Sequence, residues 1–241
     1  MSTSKEKERL QKEAENARIN FCANVTHQLK TPLHSILGYS ELIANGMAAG
    51  EDARKFGFRI HMEAQKTLNM VNEILALSRL DDPGEIFEKR DVDICAVVSD
   101  VVTSFKNMAE MKGVSLELET PGVCDKNTIL NASSKLLVGI AENLIDNALR
   151  FTESGGSINV YVSVNSDSRP VLTVKDTGIG IPYEEQDKVF QRFYRVDKSA
   201  SSETGGTGLG LTIVKQSAWR LGADIELESV PGKGTKIRVI F

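Results

Sequence analysis

Apolar side chains recur at helical spacing through residues 5–45 and again through residues 52–80, and this pattern constrains the fold more than any other feature. On the first stretch they are Cys22, Val25, Leu29, Leu33, Ile36 and Ile43, which mark one face of a helix. Residues 45–46 (Asn-Gly) and 81–84 (Asp-Asp-Pro-Gly) are typical stops. Pro32 predicts a kink rather than an end. The sequence therefore predicts a hairpin of two long antiparallel helices.

Such a hairpin cannot bury its apolar stripe alone. Dimerisation into a four-helix bundle would cover the stripe, and packing of the stripe on the rest of the chain is the alternative. The opening residues 1–20 are highly charged and offer no core-sized apolar face. We expect them to continue a helix from further upstream, so that the chain is a fragment of a longer protein.

Beyond Pro83 the pattern changes to short strands mixed with helices, without a β-α-β-α alternation. This order favours an α+β fold, a sandwich in which helices cover one face of a mixed sheet. We predict a hairpin domain over residues 1–82 and a second domain over residues 83–241. The predicted strands are 86–94, 114–119, 128–131, 157–164, 170–175, 223–229 and 235–241, and the predicted helices are 95–111, 133–151 with a Ser133 cap, and 212–221.

Composition excludes several classes of function. A net charge of −4 over 241 residues argues against a nucleic-acid-binding surface. The three cysteines are widely spaced and odd in number, which argues against a disulfide framework and for a reducing, cytoplasmic location. No apolar run reaches the roughly 20 residues of a membrane segment. The three histidines have no cysteine or carboxylate cluster around them, so we expect no histidine metal site.

His27 lies on the polar side of the first predicted helix. It follows Val25 by two positions, about 200° around the helix axis, and so points away from the apolar face. Thr31 and His34 follow on the same side. A lone histidine in such a place is usually only solvated, so its meaning depends on the rest of the chain.

Four stretches of the second domain, taken together, suggest a nucleotide-binding site. Asn143 and Asn147 share a helix face, and an amide oxygen is a suitable ligand for Mg²⁺. The Asp176-Thr-Gly-Ile-Gly run offers a carboxylate to an amine and glycines that admit a flat ligand. Glycines at 205–210 precede a helix, whose free N–H groups can hold phosphate. The aromatic residues of 190–195 are expected to form a hydrophobic anchor, and the polar segment 196–204 a lid.

In this order and spacing, these stretches resemble the nucleotide-binding domain of sensor histidine kinases, an ATP-binding class shared with gyrase, Hsp90 and MutL. The run His-Gln-Leu-Lys-Thr-Pro-Leu from His27 resembles the phosphoacceptor box of the same kinases, His-x-x-x-Thr-Pro-Leu. The likeness covers residues 21–241, nearly the whole chain.

The resemblance implies that a homodimer uses ATP to phosphorylate His27, and that the phosphoryl group then passes to an aspartate of a response regulator receiver domain. It places Mg²⁺ at Asn147 and the adenine amine at Asp176. It places Asn143 and Arg150 near the phosphates. The other nucleotide contacts that it implies are Phe151, Gly178, Gly180, Ile181, Gly206, Thr207, Gly208, Leu209 and Gly210.

Gln28 departs from the family pattern, in which an acidic residue usually follows the histidine. Its amide oxygen can still accept the imidazole N–H, but it carries no charge and is no base. We therefore expect slowed autophosphorylation. Thr31 stands where the family links a hydroxyl to dephosphorylation of the regulator, so its retention predicts a bias towards phosphatase activity.

Two other functions stay open at this point. One is a non-catalytic, ATP-binding signalling scaffold, which only Gln28 supports. The other is a stand-alone ATPase of the gyrase class, in which Glu142 would activate water. Protein labelling by ATP would distinguish the kinase from both.

Overall fold

The computed structural model describes residues 2–120, 128–196 and 206–241 of the chain. The chain forms two compact units, residues 1–74 and 75–241. The division between them lies inside the second helix, ahead of the stop at residues 81–84 where the sequence analysis put the domain boundary. Within the described ranges, no helix combines the length and the apolar character needed to span a membrane.

The first unit contains the predicted helical hairpin. Helix α1 runs Ser2–Ala44 and helix α2 runs Gly50–Asp81, each starting slightly before its predicted position. Pro32 is buried inside α1, and the helix continues through it. The chain reverses at Gly46, whose φ of +69° suits glycine. The prediction of two long helices joined by a tight turn is confirmed.

The hairpin leaves large apolar side chains uncovered on both helices. Leu37 of α1 is 57% exposed and Phe58 of α2 is 65% exposed. Leu33, Met62 and Leu68 are also exposed. Each lone exposed residue would be ordinary, but their repetition along two neighbouring helices leaves an apolar surface that one chain does not cover.

The last turn of α2 packs in the second unit. The Arg220 guanidinium donates to the Leu80 carbonyl (2.8 Å) and to the Asp82 carbonyl (2.5 Å). Arg192 forms an ion pair with Asp81 at 2.8 Å. The Arg220 bonds satisfy carbonyls that have no partner at a helix end. Together with the Arg192 ion pair they tie the last turn of α2 to the second unit, ahead of which the two compact units divide.

The second unit contains seven strands and three further α-helices among its described residues. In chain order they are β1 Arg90–Asp93, α3 Ile94–Lys112, β2 Ser115–Glu119, β3 Ile129–Ala132, α4 Ser134–Phe151, β4 Ser157–Val164, β5 Pro170–Asp176, α5 Gly210–Leu221, β6 Asp224–Val230 and β7 Gly234–Ile240. Five strands form a mixed sheet of order β2-β4-β5-β7-β6, in which β2 and β4 are parallel and the other neighbours are antiparallel. A separate antiparallel pair joins β1 and β3. The mixed sheet confirms the predicted fold class.

The core of this unit lies between the sheet and helices α3, α4 and α5. Ile140 and Ile145 of α4 and Ile158 and Val160 of β4 are fully buried, and Val214 of α5 joins the same cluster. Burying an aliphatic side chain of this kind contributes about 1.5–3 kcal/mol. This packing fixes α4, which carries most of the candidate site.

One local prediction was wrong. The strand predicted over 86–94 is formed only as Arg90–Asp93, and Ile86, which is 88% exposed, lies outside every strand of the described residues. Helix α3 then starts at Ile94, where the Asp93 carboxylate accepts the Cys95 N–H at 3.0 Å and so caps the helix. Ser133 does occupy the N-cap of α4, but its side chain makes no capping hydrogen bond.

Candidate active site

Helix α4 places three of the predicted polar residues on one face. Asn143, Asn147 and Arg150 are spaced four and three positions apart, so they lie above one another along the helix. The opposite side, including Leu144 and Ile145, is buried in the core. Burial of that apolar side turns the polar face outward.

The two asparagines differ in their hydrogen bonding. Asn143 Nδ2 donates to the Gly139 carbonyl at 2.7 Å, which leaves its Oδ1 as an acceptor. The Asn147 side chain is half-buried, and no hydrogen bond joins it to another residue in the part of the chain that the structure describes. Asn147 therefore presents a free carboxamide.

The glycine run before α5 packs against this polar face. A Cβ placed on Gly210 would lie 2.9 Å from Asn143 Oδ1, and one placed on Gly206 would lie 3.7 Å from Arg150 Cδ. Arg150 also forms an ion pair with Asp146 at 2.7 Å. The structure thus brings together two predicted stretches that are about 60 residues apart in sequence.

The glycine run itself leads into the N-terminus of α5. Gly208 has a φ of +74°, and its carbonyl accepts the Phe193 N–H at 2.9 Å. Thr207 Oγ1 accepts the Leu209 N–H at 3.1 Å, and the Leu209 side chain is fully buried. The first N–H groups of α5, from Gly210 onward, have no partner within the helix. Gly205 and all but Val196 of the predicted lid lie outside the described residues.

Asp176 ends strand β5 and is only 8% exposed. Its Oδ1 accepts the Gly178 N–H at 2.8 Å and the Thr235 N–H at 3.1 Å. Burial raises the pKa of this carboxyl, and the two backbone N–H groups partly offset the rise. Its Oδ2 accepts no hydrogen bond within the described ranges, so one oxygen is fixed and the other is available.

Both glycines of the Asp176 loop are required by contacts within the chain. A Cβ on Gly178 would overlap the Phe151 carbonyl, and a Cβ on Gly180, whose φ is +67°, would overlap the Val230 carbonyl. The neighbouring Ile179 N–H donates to the Phe151 carbonyl at 3.2 Å. The sequence analysis had explained these glycines by the approach of a flat ligand, whereas backbone packing alone already accounts for them.

The β6–β7 turn supplies residues that the sequence analysis missed. Ser229 Oγ accepts the Ile181 N–H at 2.8 Å and donates to the Gly234 carbonyl at 3.0 Å. Thr235 holds the Asp176 carboxylate, as described above. The available signal is the Gly-Lys-Gly-Thr run at residues 232–235, which joins the last two predicted strands. Ser229 and Thr235 therefore hold the Asp176 loop through hydrogen bonds.

Two partly exposed apolar side chains belong to the segments that meet at the Asp176 loop. Phe151 is 36% exposed at the end of α4, and Ile179 is 55% exposed in the loop whose N–H the Phe151 carbonyl accepts. Exposed apolar side chains and a buried acceptor in adjoining segments are the features with which proteins bind a flat aromatic ring that carries a donor. The sequence analysis had named Phe151 but not Ile179.

His27, Gln28 and Thr31 lie on α1 in the first unit. His27 is exposed and Gln28 is half-buried. Thr31 Oγ1 donates to the His27 carbonyl at 3.4 Å, and a 2.8 Å hydrogen bond joins His34 Nδ1 to the Lys30 carbonyl. Because Pro32 has no N–H, the Gln28 carbonyl loses its usual helical partner. The His27 imidazole is thus open to a reactant.

Two family models match the chain. Residues 17–83 match the His Kinase A (phospho-acceptor) domain, and residues 132–241 match the histidine kinase-, DNA gyrase B- and HSP90-like ATPase. The first match contains His27 and the second contains the α4 face, the Asp176 loop and the glycine run. The chain belongs to the sensor histidine kinases. It holds both modules of the catalytic core of that family.

Curated relatives agree with this assignment. The sensor histidine kinase WalK of Bacillus subtilis is 34% identical over 229 residues, which are 94% of this chain and 37% of WalK. The sensor-like histidine kinase SenX3 of Mycobacterium tuberculosis is 34% identical over 224 residues, 92% of this chain and 53% of SenX3. The chain therefore spans between about a third and about a half of these histidine kinases.

A solved histidine kinase shares the fold. The structure of the Acinetobacter baumannii histidine kinase AdeS superposes with a TM-score of 0.70 and 22% identity, over 89% of this chain and 96% of AdeS. At that identity the likeness speaks for the fold of the histidine kinase core, a helical hairpin followed by an ATPase domain with a mixed sheet.

Proposed function

We propose that this kinase core uses ATP to phosphorylate His27 and then passes the phosphoryl group to an aspartate of a response regulator receiver domain. The observation that carries the proposal is the meeting of the α4 polar face with the glycine run, next to the half-satisfied carboxylate of Asp176. That site is joined in one chain to a hairpin with an exposed histidine. Because the reaction consumes ATP, we place it in the cytoplasm.

Asp176 is proposed to recognise the adenine. Its free Oδ2 can accept a hydrogen bond from the exocyclic amine, while Oδ1 stays fixed by two backbone N–H groups. Phe151 would flank the ring. Gly178, Gly180 and Ile181 would keep the loop in place, since their backbone packs on α4 and on the β6–β7 turn.

The phosphates are proposed to lie at the N-terminus of α5. The first N–H groups of that helix have no partner within it, and together with the positive end of the helix dipole they favour an anion. The glycine run leaves room for the anion to approach. Arg150 adds a guanidinium beside Gly206. The residues proposed for this role are Asn143, Arg150, Gly206, Thr207, Gly208, Leu209 and Gly210.

Mg²⁺ fits the residues present. No group of three His, Cys, Asp or Glu side chains able to hold a metal occurs among the described residues, so the ion would be held chiefly by phosphate oxygens and water. Asn147 offers a free carboxamide oxygen on the same face as Asn143 and Arg150. When bound, Mg²⁺ would neutralise charge on the phosphates.

His27 is the proposed nucleophile. A neutral imidazole nitrogen would attack the γ-phosphorus, the bond from that phosphorus to the β–γ bridging oxygen would break, and ADP would leave. The other ring nitrogen would keep its proton, and its N–H could donate a hydrogen bond to the Gln28 amide oxygen. Because Gln28 brings no charge, we propose that the transfer is slower than with a carboxylate there.

Thr31 is proposed to serve a second activity, dephosphorylation of the regulator. It lies one turn beyond His27, and its hydroxyl could orient a water at the acyl phosphate. A Thr31→Ala variant should then lose phosphatase activity and keep autophosphorylation. Equal phosphatase rates in the two proteins would contradict this role.

We propose that a second copy of the chain covers the apolar surface of the hairpin. Exposed Leu37 on α1 and Phe58 on α2 are examples of that surface. Two hairpins packed together form a four-helix bundle, which buries both stripes at once. The proposed enzyme is therefore a homodimer.

Incubation with γ-labelled ATP and Mg²⁺ tests the proposed function. We expect an acid-labile, alkali-stable label on the wild-type protein and none on His27→Ala. Nucleotide binding without any label would favour a scaffold. ATP hydrolysis without label would favour an ATPase, and Glu142, whose pKa is raised by burial, would be the base to replace next.

A further inference from the structure

Lys112, the last residue of α3, caps the end of helix α4. Its ammonium donates to the Leu149 carbonyl at 2.6 Å and to the Arg150 carbonyl at 2.9 Å. These partners are 37 and 38 positions away in sequence. Carbonyls in the last turn of a helix have no partner within it, so one side chain from another helix satisfies two of them.

The remaining carbonyls of that turn are also held. The Ala148 carbonyl accepts from Thr152, through its N–H at 3.0 Å and its hydroxyl at 2.7 Å. The Phe151 carbonyl accepts the Ile179 N–H at 3.2 Å. The last of these bonds is the one that joins α4 to the Asp176 loop, and it directly follows the two carbonyls held by Lys112.

Charges of both signs surround the Lys112 ammonium. Loss of solvation lowers the pKa of its ammonium, and the nearby Arg150 guanidinium lowers it further, whereas Asp146 and Glu153 raise it. The negative end of the α4 dipole favours a cation here. The two hydrogen bonds to carbonyls hold the ammonium in place beside the Arg150 guanidinium, although the two cations repel each other.

The last turn of α4 contacts both the glycine run and the Asp176 loop. Arg150 extends towards Gly206 of the glycine run. The Phe151 carbonyl holds the Asp176 loop at Ile179 and leaves no room for a side chain at Gly178. A small rotation of the last turn would therefore displace the phosphate side and the adenine side together.

We propose that Lys112 is a positioning residue for the nucleotide site, which sets the last turn of α4 and, through it, the Asp176 loop. This inference rests on the proposed function, since the site that it positions is the proposed ATP site. Lys112 is not proposed to touch the nucleotide, so its effect should fall on affinity for every adenine nucleotide rather than on the phosphates alone.

Binding of ATP and of AMP to Lys112→Met tests the proposal, because methionine keeps the aliphatic stem and removes the donors. We expect both dissociation constants to rise by about five- to tenfold, less than for the loss of a direct charged hydrogen bond, because Lys112 acts on the nucleotide only through α4. Lys112→Arg should restore most of the affinity. Lys106→Met, the same change at an exposed lysine of α3, should stay within about twofold of wild type.

A second control separates positioning from stability. Val102 is buried in α3, ten positions before Lys112, so Val102→Ala should lower the melting temperature and leave the Lys112 hydrogen bonds in place. We expect it to bind ATP as wild type does at temperatures where it is folded. Equal affinity losses in Val102→Ala and Lys112→Met would overturn the proposal.

Two further results would also overturn it. One is an affinity of Lys112→Met equal to that of Lys106→Met. The other is a loss confined to ATP with AMP unchanged, which would make Lys112 a long-range charge. If the wild-type protein bound no ATP, the proposed function itself would fail, and that outcome differs from all of these.

Discussion

The hairpin and the second unit treat their apolar side chains differently. In the second unit, residues such as Ile140 and Ile158 have no exposed surface, because three helices of the same chain cover the sheet. In the hairpin, Leu37 is 57% exposed and Phe58 is 65% exposed. The difference teaches that one chain buries the core of the second unit by itself, whereas the hairpin leaves an apolar surface on which we propose that a second copy packs.

Asp176 and His27, the two proposed functional side chains, differ in exposure in the same way. Asp176 is 8% exposed and held by two backbone N–H groups, while His27 is exposed on a helix. Recognition of a base gains from a fixed acceptor. A phosphoacceptor must be reached first by ATP and then by a regulator, so it gains from being open.

The largest expected effect comes from breaking the fixed acceptor. Asp176→Asn can keep the Gly178 and Thr235 bonds through its Oδ1, but its Nδ2 faces the adenine amine as a second donor. We expect ATP affinity to fall by about 100-fold or more, since a buried donor would be left unpaired. Isothermal titration calorimetry measures this directly.

Two comparisons make that test specific. Asp167→Asn, at an exposed turn residue, should bind ATP as wild type does. The inosine nucleotide ITP carries an oxygen in place of the amine and should bind Asp176→Asn better than ATP does. Unchanged ATP affinity in Asp176→Asn would show that the second unit does not recognise adenine through this carboxyl.

The second-largest expected effect comes from a charge placed on the exposed apolar surface of the hairpin. Replacing Phe58 by Glu places a charge in the proposed dimer interface, and we expect dissociation to become easier by about 10- to 100-fold. Light scattering over a concentration series measures the change. Trp219→Glu is the matched control, since Trp219 is 70% exposed in the second unit. An equal mass for Phe58→Glu and wild type at all concentrations would contradict the contrast drawn here.

A substitution at Gln28 tests how the residue beside His27 affects autophosphorylation. Gln28→Glu supplies the charge that stabilises the developing imidazolium, and we expect autophosphorylation to become about tenfold faster or more. Initial rates with labelled ATP measure it. Gln65→Glu makes the same change at an exposed glutamine of α2 and should leave the rate as it is. A rate that stays equal or falls in Gln28→Glu would refute the argument.

The smallest expected effect concerns the packing of the Asp176 loop. Gly178→Ala forces a methyl group against the Phe151 carbonyl, and we expect the free energy of unfolding to fall by about 1–3 kcal/mol. Gly139→Ala is the control, because no atom lies within 4 Å of its Cβ position in α4. It should raise stability by about 0.5–1 kcal/mol. Thermal unfolding of the two variants should therefore shift in opposite directions.

Periodic patterns carried most of the fold prediction. The three- and four-residue spacing around Leu29 and Leu33 predicted the hairpin, and the alternation over residues 114–119 predicted a strand, which forms an edge of the mixed sheet. Ile86 misled the prediction, because an apolar residue at a strand-like position still needs a neighbouring strand to pair with, and no strand among the described residues pairs with it. Local sequence does not reveal that absence.

The supporting residues of the site could not be found in the same way. Gly178 is required by Phe151 and Gly180 by Val230, so the reason for each glycine lies far away in sequence. Lys112 reaches a helix end 37 positions on. Motif spacing identified the residues that we propose face the nucleotide, whereas the residues that hold the loop depend on packing, which only the folded chain defines.

One measurement tests most directly whether the closed site of the second unit acts on the open histidine of the hairpin. After incubation with ATP and Mg²⁺, the phosphorylated peptide is identified by mass spectrometry at a pH that preserves phosphohistidine, in wild type and in Asp176→Asn. We predict one modified peptide containing His27 in the wild type and none in the variant. Modification at another residue, or equal modification of His27 in both proteins, would contradict the account.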